Sequence, residues 1–307
     1  MARSANPDLL MAEALTAPLA PTRAPPSRLR AWRRALRHRG LVLGAILVGL
    51  IGLVALIAPL LAPHDPYTQD LTRRLVPPIW HDTGTWTHPL GTDNLGRDYL
   101  SRALYGARIA LTIGVSVMVI SGLIGAALGL AAGYFGGKVD LAVTFLITTR
   151  LAMPVVLAAL AVVATVGSSL LAVILVLGLL KWDRFAVVMR SATQQARSQE
   201  YVAAARAAGA STPRIILGEI LPNVFPHLLV VATVEAGSAI LLEAALSFLG
   251  LGVQPPLPSW GLMISEAKAF MFFSFWLIAI PGIALATLVL GINLLGDGLH
   301  DVSAPSG

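Results

Sequence analysis

Apolar runs recur along the chain, separated by polar intervals. Leu41 to Leu61, Ile109 to Ala132, Asp140 to Val166, Leu170 to Leu180 continuing through Trp182 to Met189, Val224 to Leu246 and Phe270 to Leu290 are six of them. Roughly 20 apolar residues at about 1.5 Å rise each cross a bilayer core, and helices satisfy their own backbone there. The pattern predicts an all-α integral membrane protein with six transmembrane helices. Gly114, Gly122, Gly125 and Gly129 punctuate the second run, and small residues at such spacing let helices approach closely in lipid. Gly136-Gly137-Lys138 and Gly167-Ser168-Ser169 read as tight turns, the second on the outer side.

Composition agrees. The 307 residues are 56% hydrophobic and only 12% charged, against about a quarter charged in soluble domains. The net charge of +6 does not point to nucleic acid, because the surplus sits before the first run. Arg3, Arg23, Arg28, Arg30, Arg33, Arg34, Arg37 and Arg39 face only Asp8 and Glu13 there, which predicts a cytoplasmic N-terminus. Residues 1–27, with Pro7, Pro18, Pro21, Pro25 and Pro26, read as a disordered tail. Residues 28–39 read either as an interfacial helix carrying Leu29, Trp32 and Leu36 or as a positive-inside anchor of no fixed structure. The basic stretch is too long for a cleaved signal. Cysteine is absent, so no disulfide, thiolate metal site or cysteine nucleophile is available.

The interval from Ser198 to Asn223 follows Lys181, Arg184, Arg190 and Arg197, which place it on the cytoplasmic side. Ser198 is a candidate N-cap, Glu200 suits the first turn, and Ala203, Ala204, Ala205, Ala207 and Ala208 favour helix. Gly209 can supply a left-handed cap, after which Thr212 reads as the next N-cap with Pro213 at the first helical position. The product is a small-residue knob ringed by Arg197, Arg206 and Arg214, shaped for a partner's groove. Tyr201-Val202, Ala204-Ala205-Arg206-Ala207, Gly209-Ala210-Ser211 and Ile220-Leu221-Pro222-Asn223 resemble the EAA coupling loop of ATP-binding-cassette importer permeases. Ala203 stands where that family often has Glu. The resemblance implies that Glu200, Tyr201, Ala204, Ala205, Arg206, Gly209 and Pro213 contact an ATPase subunit.

Residues 62–106 form a polar segment in which acidic residues offset the arginines, as in a non-cytoplasmic loop. His88-Pro89-Leu90-Gly91-Thr92-Asp93-Asn94-Leu95-Gly96-Arg97-Asp98, followed by Ser101-Arg102 and Gly106-Ala107-Arg108, resembles the signature of the C-type permease subunit of dipeptide and oligopeptide importers. Two glycine turns and alternating Asp and Arg can pair locally. His64, His81 and His88 match no helical or zinc-knuckle spacing, so no metal site is expected. Further on, Asp140, Leu151-Ala152-Met153-Pro154, Trp182, Ala186 and Arg190 follow the family, whereas Thr144-Phe145, Thr148 and Val187 replace charged residues. Arg150 marks either the cytoplasmic edge of the third span or a bundle-facing charge; span length favours the edge. Glu243 opens Glu243-Ala244-Ala245-Leu246-Ser247-Phe248-Leu249-Gly250, which with Ser259-Trp260-Gly261 resembles the family's outer loop. Asn293-Leu294-Leu295-Gly296-Asp297 resembles its close, with His300 in place of Arg. Glu235 has no family counterpart; on a helix it lies about 80° from Glu243, so both can face one cavity. Glu235, Glu243 and Asn293 are therefore candidates for the translocation path.

The domain layout read from this pattern is a basic tail (1–40), a first helix (41–61), an extracytoplasmic loop (62–106) and a core permease domain (107–307) containing the coupling loop 191–223. The resemblance implies an importer subunit in a prokaryotic cell membrane, both termini cytoplasmic, forming half of a pore. Its implied partners are a homologous permease subunit, two ATPase subunits, an extracytoplasmic substrate-binding protein and membrane lipid, with no nucleic acid. Val139 follows Lys138 and Ala132 takes the first glycine position, so the phosphate-loop pattern fails. The chain itself is then no enzyme and binds no cofactor; ATP and magnesium belong to the partners. The cargo implied is a peptide, with nickel, glutathione or another small solute as the alternative. An ion-coupled secondary transporter would need midplane coupling acids and commonly an inverted repeat, of which only Glu235 is present. An intramembrane hydrolase fails because Ser168, Ser169 and His227 lie at different depths.

Overall fold

The computed structural model describes Leu36 and residues 38–303. The tail read over 1–27, and all of 28–39 except Leu36, His38 and Arg39, lie outside them. Among the described residues the main helices are, in order, α1 (Arg39–Leu61), α2 (Tyr99–Phe135), α3 (Gly137–Ala152), α4 (Val155–Val166), α5 (Leu170–Leu180), α6 (Asp183–Arg197), α7 (Glu200–Ala207), α8 (Thr212–Phe248), α9 (Trp260–Ala267) and α10 (Trp276–Ser303). Among the described residues the only β feature is an isolated bridge, Thr92 to Asp98.

Helices α1, α2, α8 and α10 are long and apolar enough to cross a bilayer. The third expected span is two helices, α3 and α4, bent by 85°. Pro154 explains the break: it lacks an amide donor and forces the residue before it out of the helical region, and Met153 is extended at φ −93°, ψ 124°. The fourth run is likewise divided, α5 ending at Leu180 and α6 starting at Asp183. Arg150, the edge marker by span length, instead turns into the bundle. It is 7% exposed and donates from Nε to the Leu180 carbonyl (2.6 Å) and from Nη1 to that of Met153 (3.2 Å), so its charge serves the carbonyls freed at the two breaks.

The tightest seam joins α2 to α6. A Cβ on Gly125 would stand 2.5 Å from Phe185 Cβ, one on Gly129 2.7 Å from the Ala186 carbonyl, and one on Gly133 2.6 Å from Thr193 Cβ. Ala186, Met189, Thr193 and Ala196 form the facing stripe, all buried. Lipid offers no hydrophobic drive for helix association, so van der Waals contact at such glycines holds the helices together. The same device joins α1 to α10, where a Cβ on Gly44 would lie 2.6 Å from the Leu295 amide and one on Gly291 2.9 Å from Leu47 Cβ.

Helix α2 begins ten residues ahead of the apolar run because Asp98 caps it, its Oδ2 accepting from the Ser101 amide (2.8 Å) and hydroxyl (2.7 Å). The preceding segment forms a cap over this end. Gly91 and Gly96 take φ of +78° and +74°, a conformation that side chains strain to adopt. On the cap's surface, Thr72's hydroxyl and amide hold the Asp70 carboxyl below the usual range. The expected local pairing is present, Arg97 Nε to Asp93 Oδ2 at 2.6 Å, but it is half of a larger network. Arg102 Nε lies 3.3 Å from Asp93, and both arginines reach Glu266 Oε2 of α9 at 2.9 Å. Helix α9 is an addition to the six expected. Ser259 caps it, accepting from Leu262 (3.1 Å), and Trp260 Nε1 donates to the Ala103 carbonyl (2.9 Å).

Arg97 and Arg102 are 2% and 0% exposed, so Glu266→Ala leaves two buried guanidinium groups to share the single Asp93 carboxylate. We expect a loss of about 3–5 kcal/mol, the usual penalty for breaking a buried pair from one side. A melting midpoint of the purified chain unchanged by Glu266→Ala contradicts the assignment.

Candidate coupling and translocation sites

At the end of the bundle remote from this cap, α7 forms a knob. Its N-cap is Gln199, without a side-chain bond. The expected cap Ser198 instead closes α6, donating to the Gln195 carbonyl at 2.9 Å. The chain turns one residue later than predicted because α6 runs on to Arg197, through the first seven residues of the expected loop 191–223. The C-terminal cap is as expected. Gly209 has φ +80°, its amide donates to Arg206 (3.0 Å), and Ala210's donates to Ala205 (3.1 Å), the paired bonds of a Schellman motif. The next cap is Ser211, with Thr212 first in α8 and Pro213 second, one residue earlier than read from sequence.

Val202 is fully buried and packs with Tyr134, Met189, Ile215 and Ile220. One aliphatic anchor thus holds the knob to α2, α6 and α8. Glu200, Tyr201, Ala203, Ala204, Arg206, Gly209 and Pro213 are exposed, as are Arg197 and Arg214. Ala205 is half-buried and faces the chain's own α8 cluster. Desolvation and the nearby Glu219 carboxylate push the Tyr201 hydroxyl up from its ordinary value. Asp140, at the start of α3, and Arg190 of α6 form a bidentate pair, with Nη2 to Oδ2 at 2.7 Å, fixing the turn that flanks the knob.

Glu235 is 1% exposed in the middle of α8. Its Oε2 meets Lys181 Nζ at 2.7 Å, and Arg184 Nη1 approaches Oε1 at 3.3 Å without hydrogen-bond alignment. Lys181 also donates to Ser238 Oγ (2.8 Å). The break between α5 and α6 therefore delivers two cations to one carboxylate, as charges at membrane depth require. The Glu235 charge is met within the chain by Lys181. Arg184, its side chain 64% exposed, is the member of the cluster left open, on a pocket of about 350 Å³ walled by Leu151, Val187, Val230 and Val234.

Glu243 does not share that pocket. It is 2% exposed and accepts from Ser247 Oγ at 2.6 Å, whose oxygen in turn accepts the Val253 amide at 3.1 Å. It holds the turn after α8. Asn293 is exposed on α10, its Oδ1 3.5 Å from where a Gly237 Cβ would stand. The Lys181 to Glu235 pair went unread in the sequence, although two opposite charges inside neighbouring apolar runs were its signal.

These observations describe a membrane permease: bent and straight spanning helices, a charge-paired interior and a small-residue knob at one end. The fold is similar to that of the MetNI methionine ABC transporter in an inward-facing conformation, at TM-score 0.55 and 18% identity, covering 66% of this chain and 96% of that one. Residues 125–306 match the family of binding-protein-dependent transport system inner membrane components, and residues 28–78 the N-terminal TM domain of oligopeptide transport permease C. Among relatives, the chain is 38% identical to the dipeptide transport system permease protein DppC of Haemophilus influenzae, over 89% of this chain and 93% of that one. It is 40% identical to the di/tripeptide transport system permease protein DppC of Pseudomonas aeruginosa, over 89% and 90%. The chain belongs to the family of binding-protein-dependent transport system inner membrane components, the permease subunits of ABC importers.

Removing the Glu235 charge strands Lys181, so Glu235→Gln is expected to destabilise the chain by about 3–5 kcal/mol. Adding Lys181→Met recovers most of it. A double mutant no more stable than Glu235→Gln breaks the pairing.

Proposed function

We propose that the chain is the C-type permease subunit of a peptide importer, forming half of the pore with a homologous permease. Its relatives at 38–40% identity over nine-tenths of the chain are named for dipeptide or di/tripeptide transport, which supports peptide cargo over nickel or glutathione. Six spans complete the topology when α3 with α4, and α5 with α6, each count as one broken span. Both termini are then cytoplasmic, and the cap of residues 62–98 meets an extracytoplasmic binding protein. An apolar groove of about 490 Å³ between α2 and α8, lined by Met118, Leu123, Leu130, Phe225 and Leu229, supports packing against the second permease.

The observation that carries the reading is the knob. Ala203, Ala204 and Arg206 project from a short helix fixed by buried Val202 and closed by Gly209. A surface of bare methyl groups with a basic rim inserts into a groove of an ATPase subunit, where ATP and magnesium are bound; this is the EAA loop's role. In the path, Arg184 presents a guanidinium suited to a peptide carboxylate, backed by Glu235, while Asn293 offers an amide and Glu243 shapes the outer turn.

Two measurements test this. In proteoliposomes holding all subunits, Gly209→Val and Ala204→Trp should each reduce peptide-stimulated ATP hydrolysis about tenfold or more with the complex still folded. Full stimulation in both removes the docking surface. Ala204 serves better than Ala205, whose half-buried methyl faces α8. For topology, Ser211→Cys should react with membrane-impermeant maleimide from the cytoplasmic side and Thr85→Cys from the other. Both positions are exposed and no native cysteine competes; the reverse pattern inverts the orientation.

A further inference from the structure

The cap contains a cluster that its local arginine and aspartate pairing does not use. His64 lies just beyond α1, His88 in the middle of the cap, and Asp98 at the N-cap of α2. One ligand atom from each lies within 4.8 Å of the others. His88 Nδ1 is 2.8 Å from Asp98 Oδ1 and His64 Nδ1 is 3.7 Å from the same oxygen. The imidazole rings are 4.7 Å apart, tilted by 36°. His88 and Asp98 are buried, at 8% and 2% exposure.

A His88 to Asp98 hydrogen bond accounts for two members and leaves the third unexplained. The His64 Nδ1 atom is shielded from solvent, aims at Asp98 and has no hydrogen-bond partner, an arrangement that carries a desolvation penalty without compensation. We infer that His64, His88 and Asp98 form a binding site for a borderline transition-metal dication of the zinc, nickel or copper kind. Two imidazoles and one carboxylate select such ions over magnesium or calcium, which prefer all-oxygen shells. Metal to ligand distances near 2.0–2.2 Å set ligand atoms roughly 3.4 Å apart in a tetrahedral site, so the 2.8 Å His88 to Asp98 contact opens and the 3.7 Å His64 contact closes on binding.

The surroundings fit. Asp98 Oδ2 is engaged by the Ser101 amide and hydroxyl, leaving Oδ1 as a monodentate ligand. Ser101 Oγ also accepts the His64 amide at 3.2 Å, so the backbone of one ligand is tied to the carboxylate of another. This is the outer-shell support that metal ligands use. On binding, the proton between His88 and Asp98 moves to His88 Nε2 or to water, both Nδ1 lone pairs turn to the ion, and the open side of His64 leaves a fourth position for water. The ion would clamp the exit of α1 to the start of α2.

The test uses the full chain in detergent after chelation. Cobalt(II) should give visible ligand-field bands at one ion per chain, zinc titration should compete them away and raise the melting midpoint, and His64→Ala should weaken binding about tenfold or more. His81→Ala, whose ring lies against Trp276 outside the cluster, should bind as the unmodified chain does. Absence of cobalt bands in the unmodified chain overturns the site, and so does equal binding by His64→Ala, which would mean an adventitious ion only. Because the readout is metal binding, failure here leaves the importer reading untouched.

Discussion

The closeness of α2 and α6 is the constraint on which the rest depends. Within hydrocarbon, two helices gain from contact only what their atoms gain by touching, and three glycines of α2 bring its backbone against the Ala186 to Thr193 stretch of α6. Both ends of the molecule inherit positions from this seam. The last turn of α6 leads directly into the knob, whose anchor Val202 packs beside Tyr134 at the foot of α2. At its other end α2 starts at the Asp98 cap, with Arg97 just ahead and Arg102 in its first turn gathering the preceding segment. Its 37 residues make a strut of about 55 Å.

Charge follows a second rule among the described residues: the buried arginine and lysine side chains meet carboxylates or freed carbonyls. Arg97 and Arg102 are balanced by Asp93 and Glu266, and Lys181 by Glu235. Arg150 spends its donors on carbonyls released where helices break. Each cluster draws on elements far apart in sequence, so it ties spans together as well as neutralising itself. Such groupings contribute little net stability compared with apolar replacements, yet losing one member is costly.

Much of this was legible in the chain. The apolar runs gave α1, the centre of α8 and most of α10, because an uninterrupted run has one interpretation in lipid. Gly209 was legible as a cap because little else takes that backbone cheaply. Polar residues that fold inward were not: Ser101 and Arg102 read as loop until the carboxylates that receive them are in view, and with them went the true start of α2. Pro154 is visible, yet the third span is expected within Asp140 to Val166 with Arg150 at its edge and no bend at the proline, since composition averages over a bend. Arg150 was placed at an edge by length alone, and the carbonyls it serves exist only after the breaks form. Pairing of His64 with His88 had no local spacing to reveal it, being set by the path of the cap. Cap positions at Ser198 and Thr212 slipped by one residue, as helix ends do.

The foot of α8 has one more property. Between the knob and the paired charge at Glu235 the helix passes through a π turn, Ile215–Ile220, in which the Leu221 amide reaches back five residues to Ile216. Pro222 and Pro226 then withhold two further amide donors, and Asn223 lends its side chain to the Glu219 carbonyl at 2.7 Å. A rod with uniform hydrogen bonding would carry any displacement of its tip straight up its axis. Here the rungs are widened, missing or borrowed over about a dozen residues, so bending stiffness falls in one place. The upper two-thirds of α8, packed against α10 and α2, keeps regular helix, so the knob's seat rests on Val202 and its α2 and α6 neighbours rather than on the stiffness of this segment.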